Sequence, residues 1–233
     1  MPKRILFLLI FFFCLSSSRA IDADEYKGEK IVYNIRPLFG RAEYSDLGIV
    51  DLKGKKAKLV IFKTNVLGFK DTEKIYSDPR SSLPITIERD ITFLFSEEKI
   101  IEEYDQKKFS VTIKKFKGNK KINELVLTAD GPIYNAILLA FYPRRIPKLD
   151  IGWSFTFRLP DKFKTRLVSI DNIELAGKKM EAYHFISVPD KFEIWISKNK
   201  LRVPFKIKGR GGLNYILLLK DYTSGKGDFL DRP

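Results

Sequence analysis

Chemistry at a protein site needs acids, bases and nucleophiles held in register, and this chain offers few. It has one histidine and one cysteine among 233 residues. His184 sits in Met180-Glu-Ala-Tyr-His-Phe-Ile, with Ala182 and Ile186 as its period-two neighbours. That pattern puts it on a strand face rather than a catalytic loop. A serine or cysteine nucleophile would need this one histidine beside it, and the chain has no Gly-x-Ser-x-Gly elbow. One histidine and one cysteine are too few for a structural zinc site, and one cysteine cannot form a disulfide within the chain. Gly54-Lys55-Lys56 and Gly177-Lys178-Lys179 lack the spacing that wraps backbone amides around a phosphate. Gly209-Arg-Gly-Gly212 lies between two strand candidates and reads as a bulged turn. With 29 Asp and Glu residues, paired carboxylates such as Glu97-Glu98 and Glu102-Glu103 are expected without a glycosidase cleft. The residues therefore point to no catalytic motif, cofactor or metal, and to binding rather than catalysis.

Charge is the stronger signal. The formal net charge is +14. Lys107, Lys108, Lys114, Lys115, Lys117, Lys120 and Lys121 crowd one hairpin. Such a tip favours an anionic membrane surface, although lysines also keep edge strands from pairing. Nucleic acid is the usual partner of a basic protein, but no recognition motif is present. Arg89 is a charge inside an apolar stripe, between Ile87 and Ile91. It reads either as a snorkelling side chain or as an anion anchor inside a cavity.

The elements that would position these residues are strands. Ile87, Ile91, Phe93 and Phe95 alternate with Glu88, Asp90 and Thr92. The same alternation recurs at Phe109–Ile113, Trp153–Leu159 and Val203–Ile207. Leu59–Phe62 and Tyr215–Leu219 are apolar on both faces, as in central strands. Turn residues recur between the runs at Gly54, Asp78-Pro79, Gly118-Asn119, Gly177 and Val188-Pro189. Short strands joined by hairpins predict an all-β, mainly antiparallel domain, a long curved meander sheet or half-barrel. Residues 131–142 break the pattern. Pro132, preceded by Asp130, and apolar residues at Ile133, Ile137, Ala140 and Phe141 predict one short helix ended by Pro143.

Residues 1–20 read as a cleaved signal peptide. Lys3 and Arg4 precede the apolar run Ile5–Leu15, and Ser18-Arg19-Ala20 offers small residues for cleavage. The run is too short to span a bilayer stably. Phe11-Phe12-Phe13 before Cys14 is not a lipidation site. This predicts an exported protein, periplasmic or secreted, with one β-rich domain over 21–223 and a polar tail over 224–233.

Several short motifs carry a resemblance. They are Gly28-Glu29-Lys-Ile-Val-Tyr33, Gly40-Arg-Ala42, Arg144-Arg145-Ile-Pro, Ile151-Gly152, Ile194-Trp195-Ile-Ser197 and Arg202-Val-Pro204-Phe-Lys-Ile. Together they resemble the uncharacterised bacterial exported domain-of-unknown-function family 3108 over most of residues 26–222. The resemblance implies a strongly curved antiparallel sheet and no established activity or cofactor. The resulting expectation is a groove that takes a lipid or other apolar envelope molecule. Trp153, Phe155, Trp195 and Phe205 would line it and Arg89 would meet a head group. The alternatives are an envelope scaffold with a filled core and a hydrolase acting on cell-wall or surface polymer.

Overall fold

The computed structural model describes residues 24–175, 177–210 and 214–225, so the signal segment 1–20 lies outside the described residues. Fourteen strands form one antiparallel sheet. The first eight are β1 (Lys30–Arg36), β2 (Gly40–Leu52), β3 (Lys55–Val66), β4 (Phe69–Ser77), β5 (Pro84–Phe93), β6 (Ser96–Asp105), β7 (Ser110–Lys117) and β8 (Lys120–Thr128). After a non-strand connection come β9 (Ser154–Arg158), β10 (Lys162–Leu175), β11 (Lys178–Val188), β12 (Phe192–Ser197), β13 (Pro204–Gly209) and β14 (Tyr215–Thr223). The order is β8 through β1, then β14 through β9. Every neighbour is a hairpin partner except β1 and β14, which pair near the two ends of the chain. The two edges, β8 and β9, are consecutive in sequence. The predicted meander and its turns at Gly54, Gly118 and Gly177 are observed.

This sheet cannot be flat. At about 4.8 Å per strand, β7 and β9 would lie roughly 60 Å apart. Yet both reach residues 133–134. The Gln106 amide, between β6 and β7, accepts from Ile133 N–H at 3.1 Å and donates to Ile133 C=O at 2.9 Å. On the other side Tyr134 N–H donates to Arg158 C=O of β9 at 2.8 Å. The sheet therefore curls until its edges meet the connection between them, without closing.

That connection forms a plug. Its helical part is shorter than the sequence predicts: α1 covers only Ala136–Leu139, followed by a 3₁₀ turn over Tyr142–Arg145. Asn135, not Asp130, caps α1, accepting from Ile137 and Leu138 N–H. Asp130 pairs instead with Arg158. The plug takes its irregular path because fixed outside groups satisfy its backbone. Besides Gln106, Arg202 donates to the carbonyls of Pro143, Ile146 and Pro147.

The strongest tie is Arg144 with Glu29, at the start of β1. Two parallel bonds of 2.7 and 2.8 Å join them, and the side chains are 4% and 1% exposed. Tyr222 also bonds Glu29, and the guanidinium lies over the Tyr26 and Phe141 rings. Burial works against the Arg144 charge, but the Glu29 carboxylate more than offsets it, and the Arg144 pKa lies above its ordinary value. Removing one partner of such a pair strands the other in low dielectric. Glu29→Gln is therefore expected to cost about 3–5 kcal/mol, read as a lower urea midpoint. Glu43→Gln, at a half-exposed pair with Lys30, is expected to cost under about 1 kcal/mol.

Candidate functional site

The curl leaves space between sheet and plug. A cavity of about 570 Å³ opens there, within the usual range for small-molecule sites. The inner faces of β1, β3 and β4 contribute Tyr33, Ile35, Phe62, Thr64, Val66, Phe69 and Glu73. The far side is Ile194, Ile207 and Leu217 of β12–β14, and α1 supplies the floor with Ala136, Ile137 and Leu139. Strand alternation sends these side chains to one face. Phe141 stacks on Tyr44 at 4.0 Å and anchors the floor to β2.

Among the described residues, Glu73 is the only carboxyl side chain in this apolar lining. Burial pushes its pKa up to about 7, against the pull of Arg89, and the neighbouring Asp71 and Glu102 carboxylates push it the same way. Arg89 lies opposite Glu73 in the β4–β5 register, with Nη2 3.6 Å from Glu73 Oε1 and in direct contact with Asp71. Asp71 and Glu73 thus share one guanidinium, with the Glu102 carboxylate acting on it from further off. Asp71 Oδ1 and Arg89 Nε are buried without a hydrogen-bond partner among the described residues. Tyr104 extends the cluster by donating to Glu102 at 2.6 Å.

None of the five residues that the sequence suggests for ligand binding lines this cavity. Arg89 shares the inner face but is held by Asp71, so it is not a free anion anchor. Trp153 and Phe155 border a packing gap of about 10 Å³, within an aromatic cluster that includes Tyr142, Phe157 and Phe185. Phe205 is a fully buried core residue. Trp195 faces away from its cavity-lining strand neighbour Ile194 and stacks on His184 at 4.2 Å. The seven lysines do not share a tip either. Lys107 and Lys108 lie in the β6–β7 turn, at the opposite end of β7 from Lys117 and Lys120. Lys114, Lys115 and Lys121 are paired with Glu103, Glu98 and Glu124. The lining comes instead from β1, β3, β4, β12–β14 and the plug, none of which the sequence pattern marks as a ligand site.

His184 stands beside a hydroxyl. Its Nδ1 is 3.3 Å from Ser169 Oγ and 3.2 Å from Asp171 Oδ2, and its Nε2 is 3.0 Å from Glu193 Oε2. Ser169 donates its own proton to Asp171 at 2.7 Å, and the Trp195 indole donates to the same carboxylate at 2.8 Å. Nucleophilic attack would need the serine proton directed to the imidazole. Neither Ser169 nor His184 lines the 570 Å³ cavity.

The architecture has a solved counterpart. The crystal structure of a β-barrel-like protein of domain of unknown function DUF1849 from Brucella abortus superimposes with a TM-score of 0.50 at 11% identity, over 86% of this chain and 98% of that one. At that identity the likeness is one of fold. No family model matches the chain, and no curated protein does.

The Glu73 carboxyl makes stability fall as pH rises. Its folded pKa lies above the unfolded value of 4.5, so the folded state binds the extra proton and loses that advantage between pH 4.5 and about 7. Glu73→Gln is expected to match the wild type at acid pH and to exceed it above neutrality, by on the order of 2 kcal/mol. Urea denaturation along a pH series measures the difference.

Proposed function

We propose that this protein is an exported, non-enzymatic carrier that holds an amphiphile or other apolar envelope molecule in the cavity between its curled sheet and its plug. The observation that carries this reading is the cavity itself. A scaffold with a filled core would bury these side chains against one another, because protein interiors pack without voids of this size. Here Phe62, Ile137, Ile194 and Leu217 instead face a space of about 570 Å³. The plug that floors it is fixed by buried polar bonds, which favours a preformed site over a transient gap. Export agrees with the signal-like residues 1–20 and with a chain that has no cysteine beyond Cys14.

Glu73 sets the polarity of the ligand. An anionic head would meet a carboxyl side chain backed by two further carboxyl groups, whereas a hydroxyl, amide or amine would find an acceptor. Arg89 contributes by holding Asp71, not by binding the ligand.

Displacement of an apolar fluorescent dye by dodecanol, dodecylamine and dodecanoate tests both parts. Dodecanol and dodecylamine are expected to displace the dye, and dodecanoate about tenfold more weakly, a difference worth about 1.4 kcal/mol. Thr64→Trp fills the cavity from β3 and is expected to abolish dye binding while the far-ultraviolet circular dichroism is retained. Dye binding that survives Thr64→Trp would remove the cavity from the function.

A further inference from the structure

β1 to β8 follow one another in space as in sequence, so alternate hairpin tips share an end of the sheet. One end carries the tips at residues 53–54, 78–83 and 106–109, with Lys53, Gly54, Asp78, Arg80, Ser81, Lys107 and Lys108. Gln106 at this end holds the plug and Phe109 is half-buried; the residues named above are glycine, polar or charged, as is usual in solvated turns. The other end carries the tips at 37–39, 67–68, 94–95 and 118–119. Phe39 there is 93% exposed, Leu67 74%, Leu94 62% and Phe95 103%. Phe39 and Phe95 therefore protrude almost wholly into solvent, and Leu67 and Leu94 are mostly exposed.

The tips are neighbours. Leu94 N–H donates to Gly68 C=O at 3.1 Å, and a Cβ on Gly40 would strike Val66. They also border the cavity, since Leu38, Val66, Phe69 and Phe93 beside them are lining residues. Their backbone makes the residue choice costly. Phe39, Leu67 and Leu94 have φ of 48°, 34° and 53°, a region that Gly and Asn enter readily and bulky residues avoid. Lys53, Ser82, Phe109 and Arg202 also have positive φ; Phe39, Leu67 and Leu94 differ in combining it with an exposed apolar side chain. Cations flank the tips. Arg36, Lys70, Lys117 and Lys120 are exposed, and none forms an ion pair among the described residues. Glu97, two residues on, is the nearest acid to Phe95 in sequence.

We infer that the four tip residues Phe39, Leu67, Leu94 and Phe95, flanked by Arg36, Lys70, Lys117 and Lys120, dock this end of the sheet onto an anionic lipid bilayer. The apolar tips enter the head-group and acyl boundary while the cations stay at the phosphate level, as on amphipathic membrane-surface elements. Docking in this pose brings the cavity's Phe69 and Phe93 wall against the bilayer. The inference thus deepens the carrier reading, but its observations are independent of any ligand.

The test is co-sedimentation of the mature chain with phosphatidylcholine vesicles, with and without about one third phosphatidylglycerol. The wild type is expected to bind the anionic vesicles, more weakly as salt rises. The variant Phe39→Asn, Leu67→Asn, Leu94→Asn, Phe95→Ser is expected to lose binding by roughly a hundredfold. It is also expected to melt at the same or a higher temperature, because asparagine suits these backbone angles. Lys117→Gln with Lys120→Gln is expected to remove several-fold of the phosphatidylglycerol dependence. Equal sedimentation of wild type and the four-tip variant would overturn the inference. So would a wild type that stays in solution with both vesicles, including one that instead binds a protein partner. Dodecanol displacement in the four-tip variant separates the two readings: displacement retained with vesicle binding lost is the expected result, whereas vesicle binding without displacement by any variant would fell the carrier reading alone.

Discussion

A carboxylate and a guanidinium, both out of water, hold the shape of this protein. Desolvating Glu29 and Arg144 is expensive, and well-packed apolar residues would serve stability as well or better. The pair adds direction. An apolar plug inside a curled sheet can slide or rotate with little change in buried area, because hydrophobic burial is non-directional. A bidentate bond between the start of β1 and the 3₁₀ turn cannot slide. It fixes Ala136, Ile137 and Leu139 at one height against the sheet, and this height sets the floor of the cavity.

The remaining polar ties divide the same task. Gln106 reaches the plug from the β6–β7 turn and Arg202 from the loop before β13, so both halves of the sheet are tied to one segment. This substitutes for the hydrogen bonds that would close a barrel between β8 and β9. The unpaired edge at β8 is almost wholly exposed along its length. There Lys120 and Lys121 do the work that charge does on natural edge strands, opposing pairing with another chain.

Much of the fold was legible because the period-two pattern and the Gly and Pro punctuation report local geometry, which a hairpin meander largely consists of. The exceptions are instructive. Phe95 continues the alternation of β5 and yet lies in a turn, since alternation cannot say where a strand stops. The spacing over 131–142 predicts a longer helix than the four residues of α1, because the plug answers to outside partners rather than to its own helical bonds. The site was hardly legible. Aromatic residues such as Trp153 and Phe155 looked like a groove because they are large, but large residues fill space. The cavity is bounded by ordinary aliphatic residues that fail to meet one another, a property of the assembled curl. Arg89 stands out in sequence as a charge in an apolar stripe, but its partner Asp71 lies 18 residues away, and nothing in the spacing announces the pairing.

Two departures from the rule that apolar groups go inside and polar groups outside lie on the cavity wall and at its rim. Glu73 faces an apolar cavity, and Phe39, Leu67, Leu94 and Phe95 face water. Each carries a cost that no packing contact offsets: a carboxyl raised to about 7 in one case, bulky residues at positive φ in the other. Local violations of this kind concentrate where function overrides foldability. Both lie along one route, from the hairpin tips past Phe69 and Phe93 to the acid on the cavity wall. A protein selected for stability alone would have exchanged them, placing asparagine at the tips and leucine at position 73. That neither exchange is present agrees with the proposed carrier and docking roles, which would use the tips and the acid together.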